Sequence, residues 1–151
     1  MSENSENPVE PVQSITIGAI GQPGARVFYL QLVSAQGDLS ALALEKTQAF
    51  ILADQIDSLL DTIQHDYPVL LPAPVITALP LVPPDYVLFR AGKFGLQYNP
   101  EADVVALHIT ELLGVDQGTA ASLEIRLTRQ QLRALSNTAL QVARQGIASI
   151  D

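Results

Sequence analysis

Six of the ten prolines in this 151-residue chain fall between Asp66 and Asp85: Pro68, Pro72, Pro74, Pro80, Pro83 and Pro84. Proline fixes one backbone torsion and has no amide hydrogen to donate, so neither a helix interior nor a central strand runs through such a stretch. Regular structure is therefore expected in two halves, one on each side. The residues between the prolines are apolar except Thr77. That composition speaks for an extended crossover packed against the protein, not for a solvated linker. A proline-rich ligand for a recognition module is the competing reading, but these apolar side chains look meant for burial. The expected organisation is an acidic flexible tail over 1–13 and a single α+β domain over 14–147. Within the domain, 14–65 is the first half, 66–85 the crossover and 86–147 the second half.

In the first half, Ile15, Ile17 and Ala19 alternate with Thr16 and Gly18, the two-residue period of a strand with one buried face. Gln22-Pro23-Gly24 suits a type II turn, with glycine accepting the positive torsion at its second central position. A second strand follows over Val27–Val33, with Phe28, Leu30 and Leu32 on one face, and a third over Leu39–Leu44. From Thr47 to Gln64, Ala49, Leu52, Ala53, Ile56, Leu59, Leu60 and Ile63 recur at helical spacing. Asp54, Asp57 and Asp61 take the opposite side, as a solvated face does.

The second half reads as strands over Tyr86–Arg90, Phe94–Tyr98, Val104–Ile109 and Ser122–Leu127. Turns are expected at Gly92-Lys93 and at 99–103, with a polar loop over 114–119. Thr128-Arg129-Gln130-Gln131 is a capping box that opens a last helix. Leu132, Leu135, Ala139, Val142 and Ala143 form its stripe, and Arg129, Arg133 and Arg144 its charged outer face. Leu44-Glu45-Lys46-Thr47-Gln48 and Leu127-Thr128-Arg129-Gln130-Gln131 echo each other. The expected fold is α+β, with antiparallel sheet or sheets and two helices, and it suggests a duplicated βββα unit with one extra strand in the second copy.

Composition narrows function by exclusion. Hydrophobic residues make up 48% and charged residues 16%, so a packed core is expected. A formal charge of -8 disfavours nucleic acid and anionic lipid, both of which attract clustered Lys and Arg. There is no cysteine, hence no thiolate catalysis or thiolate metal site, and two separated histidines make an ordinary zinc site an unattractive reading. Met1–Glu10 has neither the charge pattern of a signal peptide nor an apolar run, so the expectation is cytoplasmic. Gly18, Gly21 and Gly24 match neither a P-loop nor a dinucleotide fingerprint. His65 sits at a helix end and His108 among strand residues, where structural roles suffice. No catalytic residue, metal ligand or cofactor is assigned, and the reading leans away from an enzyme.

The polar residues singled out as candidate binding residues are Gln22, Arg26, Gln31, Glu45 and Lys46. Arg26 is the lone charge between Glu10 and Asp38, directly after the glycine turn. Glu45 and Lys46 stand where a strand becomes a helix, and Gln31 lies on a strand among apolar neighbours. A buried Arg26–Glu45 pair tying hairpin to helix is one account. A pocket in which Gln22, Arg26 and Lys46 receive a small anion is the other.

At these residues the sequence resembles a known family. The run Gly18-Ala-Ile-Gly21-Gln22-Pro23-Gly24-Ala-Arg26-Val-Phe28-Tyr29-Leu30-Gln31, then Leu44-Glu45-Lys46-Thr-Gln48, is similar to the signature of an uncharacterised bacterial family, domain of unknown function 3090. Phe89-Arg90-Ala-Gly92 and Leu127-Thr128-Arg-Gln-Gln131 look like its later blocks. The resemblance spans roughly residues 15–146 and implies no established activity. Family members commonly carry a Cys-Pro-x-Cys…His…Cys tail that looks metal-binding, whereas this sequence stops at Asp151 without a cysteine. The functional expectation is a binding or interaction module with a protein partner or a second copy of itself. The rival is a small-molecule enzyme or sensor with an anion pocket around Arg26.

Overall fold

Two successive β-β-β-α runs build the molecule: Ser14–Ile20 (β1), Val27–Val33 (β2), Leu39–Leu44 (β3) and Lys46–Asp66 (α1), then Ala91–Asn99 (β4), Val104–Glu111 (β5), Ser122–Leu127 (β6) and Arg129–Ala148 (α2). In the computed structural model the described residues are 10–22, 24–68, 81–113 and 118–148. Most of the acidic tail, Pro23, the centre of the proline-rich stretch and residues 114–117 lie outside them. The strands form two three-stranded antiparallel sheets, ordered β1-β2-β3 and β4-β5-β6. The α+β class and the repeated order are as the sequence suggests.

Strand alternation decides which side each sheet buries. Ile17, Leu30 and Leu42 share the inner face of the first sheet, and Leu107 and Ile125 that of the second. These join one cluster with Leu52, Ile56 and Ile63 of α1 and Leu132 and Leu135 of α2. Each such side chain, removed from water, contributes about 1.5–3 kcal/mol before chain entropy is counted. Small residues on both helices, Ala49 and Ala53 against Ala139 and Ala143, are fully buried and let α1 and α2 pack closely. The helices also cross between halves, for α2 packs against β1 and α1 against β4.

Both helix starts use a glutamine three residues into the helix. Gln48 Oε1 accepts the Glu45 amide at 2.8 Å, and its Nε2 donates to the Ala91 carbonyl at 2.6 Å. Gln131 Oε1 accepts the Thr128 amide at 2.9 Å, and its Nε2 donates to the Val12 carbonyl at 2.7 Å. The Gln131 amide in turn donates to Thr128 Oγ1 at 3.1 Å, completing the expected capping box. Each glutamine thus fastens its helix to the segment that leads into the opposite half's first strand.

Those leading segments are exchanged. The Val12 amide donates to the Arg126 carbonyl on β6 at 3.0 Å. The Leu88 amide donates to Ala41 at 2.9 Å, and Ala43 donates back to Phe89 at 3.2 Å, beside a parallel bridge between Ala43 and Arg90. This corrects the expected extra strand over Tyr86–Arg90. The stretch is extended, but it lies along β3 of the first half and makes only an isolated bridge. The turn expected at Gly92-Lys93 is also absent. Both residues lie within β4, where the register shifts between Ala91 and Lys93, and a Cβ on Gly92 would sit 2.9 Å from the Leu112 Cα.

Candidate functional site

The five residues singled out from sequence do not converge. Gln22 is exposed, Arg26 and Lys46 are half-buried, and among the described residues their side chains make no hydrogen bond or ion pair. Ala25 donates to the Gln22 carbonyl at 2.9 Å and Gly24 has φ +86, the torsion that a type II turn demands of its second central residue. The expected Arg26–Glu45 pair is replaced by another: Glu45 Oε2 accepts from Arg90 Nη2 at 3.2 Å, with both side chains 60% exposed. The guanidinium of Arg90, in the segment leading into β4, and not that of the hairpin, reaches the helix start.

Gln31 is 4% exposed and has a defined task. It projects from the outer face of β2, where its Nε2 donates to the Val82 carbonyl at 2.5 Å and its Oε1 accepts the Val82 amide at 2.9 Å. One side-chain amide therefore imitates a strand neighbour for one residue of extended chain. Leu81 lies next to it, seated over Gly18, where an added Cβ would meet Leu81 side-chain atoms at 3.0 Å. The outer face of the first sheet is thus crossed by the protein's own chain.

Matching Leu44 with Leu127 through the two registers sets His108 of β5 in the place of Gln31 on β2. The outer face around His108 is open. Gly95 and Gln97 of β4 and Glu124 of β6 are exposed, and the His108 side chain is 51% exposed. Near the 99–103 turn this face deepens into a cleft of about 460 Å³, floored by Ala106 and walled by Gln97, Asn99, Glu101, Glu124 and Arg126. His108 Nε2 stands 2.5 Å from Glu124 Oε1, and Arg126 Nη1 donates to Glu124 Oε2. Glu124 is thereby engaged through both oxygens, whereas Arg126 Nε and Nη2 have no partner among the described residues. Sequence reading set His108 aside and did not select Gln97, Glu124 or Arg126. The signal was the polar alternation itself, Lys93/Gln97, His108/Thr110 and Ser122/Glu124/Arg126, which writes one continuous polar face once the strands are paired.

A second polar cluster is internal. Arg129, expected on an outer helix face, is 7% exposed. Its Nε donates to Asp103 Oδ1 at 2.8 Å, Nη1 to Gln64 Oε1 at 3.1 Å, and Nη2 to the Tyr67 carbonyl at 2.7 Å and Tyr98 Oη at 3.2 Å. Tyr98 Oη donates to the same Asp103 oxygen at 2.7 Å, and its ring lies 5.4 Å from that of Tyr67. Burial pushes the Tyr98 phenol up, and the bond to Asp103 adds to this. Burial works to raise the Asp103 carboxyl too, but hydrogen bonds from Tyr98 and Arg129 and the guanidinium charge outweigh it, leaving Asp103 below the usual carboxylate range. Burial works to lower the Arg129 pKa, and the bonds to Asp103 and Tyr98 outweigh it and raise it. With all three guanidinium nitrogens engaged inside the protein, this cluster is a knot between α1, α2 and the β4–β5 turn. Asp57 is similarly drawn inward, accepting from the buried Ser136 hydroxyl at 2.6 Å, with Arg133 Nη1 at 3.8 Å.

Among the described residues no group of three His, Asp or Glu side chains is placed to hold a metal, and no helix is long and apolar enough to cross a membrane. Fold and face together define an α+β protein of two interlocked βββα halves, with one outer sheet face crossed by the chain at Leu81 and Val82 and the other exposed around His108. The chain belongs to the family described as protein of unknown function DUF3090, whose match covers residues 8–149. No curated protein matches the chain significantly.

Proposed function

We propose that the protein is a binding module that takes an extended polypeptide segment of a partner across the outer face of β4-β5-β6. The observation that carries this reading is the unequal use of two equivalent faces. On the first sheet, Gln31 holds the backbone of Val82 and Leu81 fills the space over Gly18. On the second, His108 occupies the matching position and the face is open, with a cleft of the size that protein ligands fill. An extended chain brings unpaired backbone groups and regularly spaced side chains, which suit a floor of small residues and polar walls.

The anion pocket around Arg26 finds less support. Glu45 is engaged by Arg90, and Gln31 is occupied by Val82.

A phage-displayed library of unconstrained dodecapeptides, selected on the purified protein, tests the proposal. Selected peptides are expected to shift the amide resonances of Gly95, Gln97, Ala106, His108 and Glu124. Ala106→Trp, which fills the cleft floor from the outer face, is expected to abolish binding while leaving the melting curve unchanged. Peptides that shift other residues and still bind Ala106→Trp would overturn it, as would a selection that yields none.

A further inference from the structure

We infer that Arg126 is a carboxylate-binding position in this cleft, and that protonation of His108 strengthens it through Glu124. The inference rests on the open face being a binding face, and it names the chemistry of what arrives there.

Three observations lead to it. First, Arg126 lines the cleft with its side chain only 22% exposed, yet among the described residues only Nη1 is hydrogen-bonded. A planar guanidinium offers its Nε/Nη2 edge as two parallel donors, the geometry that matches a carboxylate. Second, the guanidinium is held in place. Glu124, two residues earlier on the same strand face, accepts its Nη1, and His108 fixes the other Glu124 oxygen at 2.5 Å. A positioned arginine loses less side-chain freedom on binding than a free one. Third, the local charge differs from that of the whole chain. The cleft is lined by Arg126 against Glu101 and Glu124, so it stands much nearer neutrality than the protein as a whole at -8.

His108 then sets the balance. It is faced by Glu124 and, one pair along, Arg126 from β6, and by Gly95 with Lys93 one pair further along from β4. When neutral, its ring shares a hydrogen bond with Glu124, and the carboxylate's charge offsets that of Arg126. When protonated, the imidazolium neutralises Glu124, and Arg126 presents an uncompensated positive charge to the cleft. Carboxylate binding is therefore tighter with His108 protonated than with it neutral.

The test uses the full chain and a matched pair of probes, N-acetylglycine and N-acetylglycinamide, which differ by one negative charge. Resonances of Ala106, Arg126 and Gln97 are followed by titration at about pH 5.5 and about pH 8. N-acetylglycine is expected to bind about threefold tighter at the lower pH, the effect of one added charge a few ångströms away in a wet cleft. The amide is expected to bind weakly and without pH dependence. His108→Gln, which keeps a donor for Glu124 but cannot titrate, should bind the acid with no pH dependence, and Arg126→Gln should not discriminate acid from amide. Equal binding of the two probes to the wild type, or a pH effect that persists in His108→Gln, overturns the inference. Running a library-selected peptide with a free and an amidated C-terminus separates the two readings. Indifference to the carboxylate sinks the Arg126 assignment alone, whereas no peptide binding of any kind sinks the extended-chain reading.

Discussion

Arg129 carries a permanent charge into the interior, and the molecule answers it with four oxygens from distant parts of the chain: Asp103, Gln64, Tyr67 and Tyr98. Truncating it to Met removes the guanidinium from Asp103, Gln64 and the Tyr67 carbonyl, and leaves Asp103 with the Tyr98 hydroxyl as its donor. The expected loss is about 2–4 kcal/mol of unfolding free energy, read from urea denaturation. Arg129→Lys should recover only part, because one ammonium cannot replace a guanidinium fork. The acid arm follows from Asp103. Its folded pKa lies below its unfolded value, so its contribution is present above the ordinary carboxylate range and is lost as pH falls through the folded pKa. The alkaline arm follows from Tyr98, whose raised pKa gives a contribution present below the ordinary phenol range and lost as pH rises through the folded value. Asp103→Asn should flatten the acid side of the stability-pH profile and Tyr98→Phe the alkaline side. Asparagine is the suitable replacement because Asp103 has φ +54, a left-handed torsion that Asn tolerates. None of this was legible in the sequence. Arg129 sits in a capping box at a position that normally faces water, and its partners are 26 to 65 residues away.

At the scale of elements the sequence was far more informative, for local reasons. The alternation of Phe28, Leu30 and Leu32 and the helical stripe from Ala49 to Ile63 name their buried faces directly, and the structure buries them. Tyr86–Arg90 shows the limit. Its pattern reads correctly as extended chain, but which strand it meets is a tertiary matter, and it meets β3 across the halves. Gly92 marked a break that the structure uses as a bulge. Gln31 illustrates the middle case, a polar residue in an apolar strand that rightly drew suspicion, although its role is to grip the crossover. Gln31→Leu should release that grip. The Val82 amide, now held by Gln31 Oε1 at 2.9 Å, is expected to lose its protection from hydrogen exchange while the β1-β2-β3 amides keep theirs. Gly18→Ala should act on the same contact from below, displacing Leu81 and costing about 1–3 kcal/mol.

For the molecule as a whole, the interlocking of the halves outweighs any one contact. Val12 serves β6, the 88–90 segment serves β3, α2 covers β1, and α1 meets β4. The echo between the two helix starts pointed to two similar units, but a short motif cannot say that units exchange their leading segments, since that depends on which edges are left unpaired. Neither half is expected to hold a fold by itself. Fragments 10–68 and 81–148, expressed separately, should each show the circular dichroism of largely unfolded chains, and mixing them should restore native-like amide dispersion. A well-dispersed spectrum from either fragment alone would show that the exchange is ornamental.

The bond from Val12 to Arg126 has a consequence for biosynthesis. The start of the chain leaves the ribosome long before its neighbour on β6 has been translated. Until then the inner faces of β1, β2 and β3 lack α2, and the nascent protein must travel with oily surface showing. Closure comes only once α2 has been made, so a ribosome that stalls before it releases a product ready to aggregate, not a smaller working protein.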